Sequence, residues 1–362
     1  MSNPKIAGVG AAILAAALFG ASTPFSKLLL GNVSPILLAG LLYLGSGCGL
    51  SLLFVIRRAW SSGPAEMSLT RKDVPWLAGA IVSGAIVGAL LLLFGLQLTP
   101  ASTSSLLLNM EGVFTATLAW LVFRENADRR VVLGMVFILG GGLVLSWQGG
   151  TEATPVLGVV LILAACLCWG IDNNLTQKIS ASDPFQVAAV KGLVAGTFNT
   201  LLGLALGNPL PTLSIILGAV LIGFIGYGLS VALFVLALRN IGTSRTGAYF
   251  AIAPFVGGLL SVIILREPLS GALLIAGALM GIGVWLHLTE RHGHPHQHHA
   301  SEHAHRHVHD EHHQHDHELG INLAQPHMHL HSHQPTTHIH AHFPDIHHRH
   351  VHVLEATNVT AN

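Results

Sequence analysis

Charge is scarce in this chain of 362 residues: 17 Lys and Arg stand against 17 Asp and Glu, 9% of the whole, where a soluble domain carries about a quarter. The shortage argues against a water-soluble globule, and the even balance leaves no basic surface for holding nucleic acid. No Gly-Lys-Ser/Thr of a phosphate-binding loop occurs, which argues against a pump driven by ATP. The three cysteines, Cys48, Cys166 and Cys168, all fall inside apolar runs, so neither a disulfide framework nor a Cys-x-x-Cys site is expected. Histidine is missing from everything before His287, although the chain has 25 of them. His-Glu-x-x-His and Gly-x-Ser-x-Gly are missing too, so the chain is not expected to be an enzyme.

What is present is apolar length: 51% of residues are hydrophobic and 40 are glycine. Runs of about the length that crosses a hydrocarbon core lie at 6–30, 35–56, 74–96, 101–123, 129–147, 156–180, 184–206, 213–238, 243–265 and 270–288. These ten expected spans are joined by short connections, apart from Arg57 to Asp73, where Ser-Ser-Gly-Pro marks a turn. The first run is too long for a signal-peptide core and is expected to stay as a span. If loops alternate sides, the side of the N-terminus collects Lys5, Arg57, Arg58, Arg71, Lys72, Arg124, Arg129, Arg130, Lys178, Arg239 and Arg245, and the other side only Arg266. Positive charge marks the cytoplasmic face. Both termini are therefore expected in the cytoplasm, with the protein in a plasma membrane such as the inner membrane of a bacterium.

The two halves echo each other. Residues 100–125, PASTSSLLLNMEGVFTATLAWLVFRE, are matched by residues 242–267, GTSRTGAYFAIAPFVGGLLSVIILRE, and both end in Arg-Glu. Phe19-Gly20 before Pro24 and Ser26 is echoed by Trp169-Gly170 before Asn174 and Thr176. Five spans per half invert the second half relative to the first, the plan of many secondary transporters. The expected fold class is thus an all-α membrane protein with ten transmembrane helices in two inverted five-helix repeats, residues 1–148 and 155–288, and a disordered cytoplasmic tail over 289–362. Glycine pairs spaced by four, such as Gly45 and Gly49 or Gly192 and Gly196, read as close helix packing.

Ionisable residues at membrane depth are costly and usually face a pathway. Glu111 lies about 15 Å into the fourth span, near the midplane, and reads either as a solute- or proton-coupling group or as a quiet hydrogen-bonding residue. Ser104 and Thr115 share its helical face by their spacing and are candidates to line the same cavity. The sixth span carries Asp172, Asn173, Asn174, Thr176 and Gln177, and Lys191 lies at matching depth in the seventh. An Asp172 to Lys191 ion pair would satisfy both charges, as a static staple or as a gate that opens to substrate. Lys27 lies close enough to the outer surface to snorkel to water.

Two segments carry a family resemblance. Ala253-Pro254-Phe255 through Arg266-Glu267-Pro268-Leu269-Ser270 resembles the Pro-Val-Phe helix, ending in Gly-Glu or Arg-Glu, of the EamA-type members of the drug/metabolite transporter superfamily. Phe19-Gly20-Ala21-Ser22 through Ser26-Lys27 is similar to that family's opening Trp-Gly-x-x-Phe-x-x-x-Lys, with Phe19 in place of Trp. The likeness covers residues 6 to 288. It implies ten helices in two inverted repeats and export or exchange of a small solute. It also implies a central cavity lined by the first, third, fourth, sixth, eighth and ninth helices. Such proteins handle amino acids, nucleotide precursors, sugars and drugs on one scaffold. The main departure is Glu111-Gly112, where the second half has Ala253-Pro254.

The tail alternates His-x-His, as in His303, His305, His307 and His309 and again in His327, His329, His331 and His333. Neutral imidazoles at such spacing are ready ligands for Ni, Co or Zn. The sequence therefore leaves three functional readings: a secondary exporter of a metabolite, amino acid or drug that needs no cofactor, a divalent-metal exporter whose tail collects or senses the ion, or a membrane-bound metal store or sensor in which the intramembrane acids are idle. The expected partners are the lipid bilayer and the transported solute or ion, without nucleic acid, and association of two copies as a homodimer is left open.

Overall fold

The computed structural model describes residues 4–60, 69–122, 129–146, 156–179, 182–241, 246, 249–289, 293–298, 301–307, 327–333 and 336–341. Up to residue 289 these form helices: α1 (Pro4–Leu30), α2 (Pro35–Trp60), α3 (Val74–Ala80), α4 (Ala89–Leu98), α5 (Ala101–Leu107), α6 (Met110–Leu121), α7 (Arg129–Ser146), α8 (Val156–Gln177), α9 (Pro184–Ala205), α10 (Leu213–Ile222), α11 (Ser230–Ile241), α12 (Ala253–Leu265) and α13 (Gly271–Leu288). The π-helical stretch Ile81–Gly88 joins α3 to α4, and a second, Gly223–Leu229, joins α10 to α11. Seven of the resulting rods are long and apolar enough to cross a membrane, and Ala253–Leu265 and Gly271–Leu286 are shorter apolar helices. The run expected as the fourth span is two helices, α5 and α6, with a turn at Leu108 and Asn109. The outer faces display large apolar side chains such as Leu52, Leu143, Leu213 and Trp285, a surface suited to lipid rather than water.

Helix pairing follows the small residues, since lipid gives apolar side chains no reason to hide and close backbone approach becomes the main source of adhesion. The backbones of α2 and α9 come together at Gly47 and Gly192, where a Cβ on Gly192 would lie 2.7 Å from the Cα of Gly47. Further along the same seam Gly196 meets Leu44 and Gly203 meets Leu37. The remaining pairs have a regular pattern: α7 lies on α13, α1 packs on α11 and α12, and α8 packs on α4 and α6.

The tail departs from the expectation of disorder. Its described residues form four strands, β1 (Gly293–His298), β2 (Ser301–His307), β3 (His327–His333) and β4 (Thr336–Ala341), with β1 antiparallel to β4 and β2 antiparallel to β3. Low apolar content was the basis of that expectation. Alternation with period two is the pattern of a strand, however, and two complementary segments can satisfy each other's backbone groups without a large core.

Candidate functional site

Glu111 sits at the start of α6, just past the break in the fourth apolar run, and its side chain turns toward α8. Its Oε1 accepts from Asn173 Nδ2 at 2.8 Å, and the same amide nitrogen donates to Thr115 Oγ1 at 3.2 Å. One residue on, Asn174 Nδ2 donates to the Thr115 carbonyl at 3.2 Å and to the Gly170 carbonyl at 2.8 Å. The two helices can lie this close because Gly170 has no side chain, and a Cβ there would come within 3.1 Å of the Thr115 nitrogen. Asn173 is exposed and Glu111 partly so, which leaves a carboxylate at membrane depth within reach of a solute.

A second charged group lies beside it. Lys191 Nζ donates to both oxygens of Asp172, at 2.6 and 2.7 Å, and to Thr176 Oγ1 at 3.3 Å. Thr176 Oγ1 donates in turn to Asp172 Oδ1 at 2.8 Å. The side chains are 18% exposed for Lys191 and 11% for Asp172. The Asp172 carboxylate presses against the π-helical backbone at Gly84, where any Cβ would overlap it, and Trp169 Nε1 donates to the Gly84 carbonyl at 3.1 Å. Tyr43 is within electrostatic reach of both Asp172 and Glu111. Its ring lies 5.8 Å from that of Tyr227, which lies 5.8 Å from Phe19, which in turn lies 5.5 Å from Phe250. Polar groups of α6, α8 and α9 thus adjoin an aromatic wall drawn from α1, α2, the π-helical stretch before α11 and the segment before α12.

The ends of the bundle are closed by charges. At one end Lys27 Nζ donates to the carbonyls of Leu96, Gln97 and Thr99, the unpaired C-terminal end of α4. Directly after it, the Glu267 carboxylate accepts from the backbone N–H of Ala101 at 2.7 Å and of Ser102 at 2.8 Å, and from the Ser102 hydroxyl. At the other end Arg57 Nη2 meets Asp183 Oδ2 at 2.6 Å, Asp183 Oδ1 caps α9 through Phe185 N–H at 2.8 Å, and Arg130 Nη1 donates to the Thr289 carbonyl at 2.9 Å.

The family model of the EamA-like transporter family matches residues 6–147 and again residues 156–289. This chain belongs to that family. An uncharacterized transporter of Methanothermobacter thermautotrophicus is 30% identical over 76% of this chain and 84% of its own length. A probable amino-acid metabolite efflux pump of Escherichia coli is 24% identical over 76% of this chain and 93% of its own. A probable terminal-alkyne amino-acid exporter of Streptantibioticus cattleyicolor is 27% identical, covering 67% and 83%. A crystal structure of a protein 20% identical in sequence superposes with a TM-score of 0.56 over 79% of this chain and 96% of that one, which makes the fold a shared one. As an EamA-like protein the chain is a multi-pass membrane transporter.

Of the site residues expected in this EamA-like chain, the structure brings together Glu111, Asn173 and Thr115, and beside them Asp172 and Lys191. Ser104 is a correction: it is fully buried, and its hydroxyl donates back to the Pro100 carbonyl at 2.9 Å. Helical spacing carries a face only along an unbroken helix, and the turn at Leu108 and Asn109 separates Ser104 from Glu111. Lys27, partly exposed, seals the C-terminal end of α4. Histidines 303, 305, 307, 327, 329, 331 and 333 lie in β2 and β3, and His309 lies outside the described residues. Among the residues whose side chains are described, which do not include those of the tail strands, no group of three His, Cys, Asp or Glu gathers as a metal centre. Tyr43 and Tyr227 were missed, because an aromatic inside an apolar run has no signal to set it apart from core. Glu267 was visible as part of the repeated Arg-Glu, but its capping role depends on a partner helix that only the fold supplies.

Proposed function

We propose that this EamA-like transporter exports a small organic solute bearing both an amino group and a carboxylate, of the amino-acid metabolite class, without ATP and by alternating access. The observation that carries the reading is the Glu111 carboxylate, held by a neutral amide at membrane depth while the neighbouring Lys191 is committed to Asp172. A solute ammonium pairs with the Glu111 carboxylate, and a solute carboxylate competes with Asp172 for Lys191, so one zwitterion engages both groups. The rings of Phe19, Tyr43, Tyr227 and Phe250 offer a wall for its side chain. Relatives named as amino-acid metabolite and alkyne amino-acid exporters support the solute class.

The proposed frame is ten spans in two inverted five-helix repeats, with both termini in the cytoplasm of a bacterial-type inner membrane. Exchanging the halves maps α1 onto α8 and α2 onto α9, and it carries the pairing of α1 with α11 and α12 onto that of α8 with α4 and α6, as an inverted duplication requires. The excess of basic residues on the N-terminal side supports the orientation. Among the described residues of the bundle no group of three potential metal ligands favours the metal-export reading.

The test is efflux of radiolabelled amino acids from loaded proteoliposomes. Glu111→Gln keeps the hydrogen bond to Asn173 but removes the charge, and the expected result is a loss of at least about tenfold in flux, about 1.4 kcal/mol of lost stabilisation, with insertion unchanged. Flux equal to the unmodified protein would remove Glu111 from the pathway.

A further inference from the structure

The tail strands pair histidine with histidine. Across the β2–β3 ribbon His303 stands opposite His331, His305 opposite His329 and His307 opposite His327. Across β1–β4 His294 stands opposite His340 and His296 opposite His338. Directly opposed positions in an antiparallel pair have Cα atoms about 4.5–5.5 Å apart, and alternate positions of a strand share one face. The register therefore places six histidine positions as three adjacent rungs on one face of β2–β3, and four as two rungs on β1–β4.

The composition of the face matters as much as its geometry. Neutral imidazole is the commonest protein ligand for late first-row divalent ions, and four nitrogens complete a tetrahedral shell. A register shifted by one residue would set each histidine opposite the intervening residues and dissolve every rung. Pro295 fits this arrangement, since a two-stranded ribbon consists only of edge strands, where a missing N–H is tolerated.

We infer that the β2–β3 ribbon is a binding site for a divalent transition-metal ion of the Ni2+, Co2+ or Zn2+ class, with β1–β4 a smaller second site, separate from the solute path. The ion crosslinks two segments that are twenty residues apart in sequence, from His307 to His327, so its binding also fastens the ribbon. The site is a property of the strand register, which distinguishes it from a loose collection of histidines that any sixty-residue His-rich chain would offer.

The experiment is equilibrium dialysis of the full-length protein in detergent against Ni2+ alone, repeated with Zn2+. Three triple variants are compared: His303, His305 and His307 to Ala; His327, His329 and His331 to Ala; and, as a control for histidine number, His347, His348 and His350 to Ala. The expected result is that either of the first two sets weakens the tightest site by at least about tenfold, that combining them weakens it no further, and that the control set leaves it unchanged. Equal losses from all three sets, losses of the first two that add, or no binding at micromolar ion would each overturn the inference. The readout is ion binding, so it stands or falls independently of the transport assay.

Discussion

A carboxylate inside a membrane must be answered by something, and the two acids of this site are answered differently. Asp172 has a full counter-charge: Lys191 at 2.6 Å, with Thr176 bridging both. Removing one partner of a mostly buried pair strands the other, at a cost of about 3–5 kcal/mol. Asp172→Asn and Lys191→Met are therefore each expected to lower thermal stability in detergent. The double variant is expected to lose less than the sum, with a coupling of about 1–3 kcal/mol, and additive losses in a melting series would show that the contact is not a functioning pair. Among the described residues the Glu111 carboxylate bonds only the Asn173 amide, so Asn173→Ala should impair efflux of solute while shifting the melting temperature little. Loss of fold in place of loss of flux would make that bond structural. These groups were legible in the sequence because charge and amides are rare at membrane depth, which narrows the field to a handful. Ser104 was misread because its spacing argument needed a continuous helix, and Tyr43 was invisible because packing, not polarity, brings it to the site.

The elements that shape the site are the irregular ones. The π-helical stretches Ile81–Gly88 and Gly223–Leu229 begin 142 residues apart, the spacing that also separates the two Arg-Glu pairs. The breaks before α6 and before α12 fall at related places, Leu108-Asn109 just ahead of Glu111-Gly112 and Ala251-Ile252 just ahead of Ala253-Pro254. Local geometry accounts for the second Arg-Glu. Arg266 takes a left-handed conformation, φ 54°, ending α12, and Pro268 prevents its resumption. The reversed chain aims the Glu267 carboxylate at the bare N-terminus of α5, which has no acidic residue in its own first turn. Glu267→Gln should then cost about 1–2 kcal/mol, read as a lower melting temperature, and an unchanged melt would mean the cap is dispensable. Arg266→Gly should be neutral or stabilising, since glycine takes the left-handed region without the roughly 1–2 kcal/mol a side chain incurs there. A clear loss of stability would point to a contact of the Arg266 side chain instead.

At the scale of the whole molecule, the sequence carried the membrane class and most of the helix positions, because apolar length and glycine spacing are direct consequences of what lipid demands. Distant segments meet through charge, as Arg57 with Asp183 and Arg130 with Thr289. What composition could not carry was the pairing of distant segments, above all the strands of the tail, whose order depends on two halves of a ribbon finding each other. The central claim is that the Asn173 and Glu111 position is a solute station reached alternately from both faces. Its most direct test is a single cysteine at position 112, which is exposed beside Glu111 with open space where a Cβ would stand, in a variant with Cys48, Cys166 and Cys168 replaced by serine, labelled by a membrane-impermeant thiol reagent added to either side of oriented vesicles. The expected result is labelling from either side, slowed by an exported amino acid. Labelling from one side only, or labelling that no exported solute slows, would contradict it.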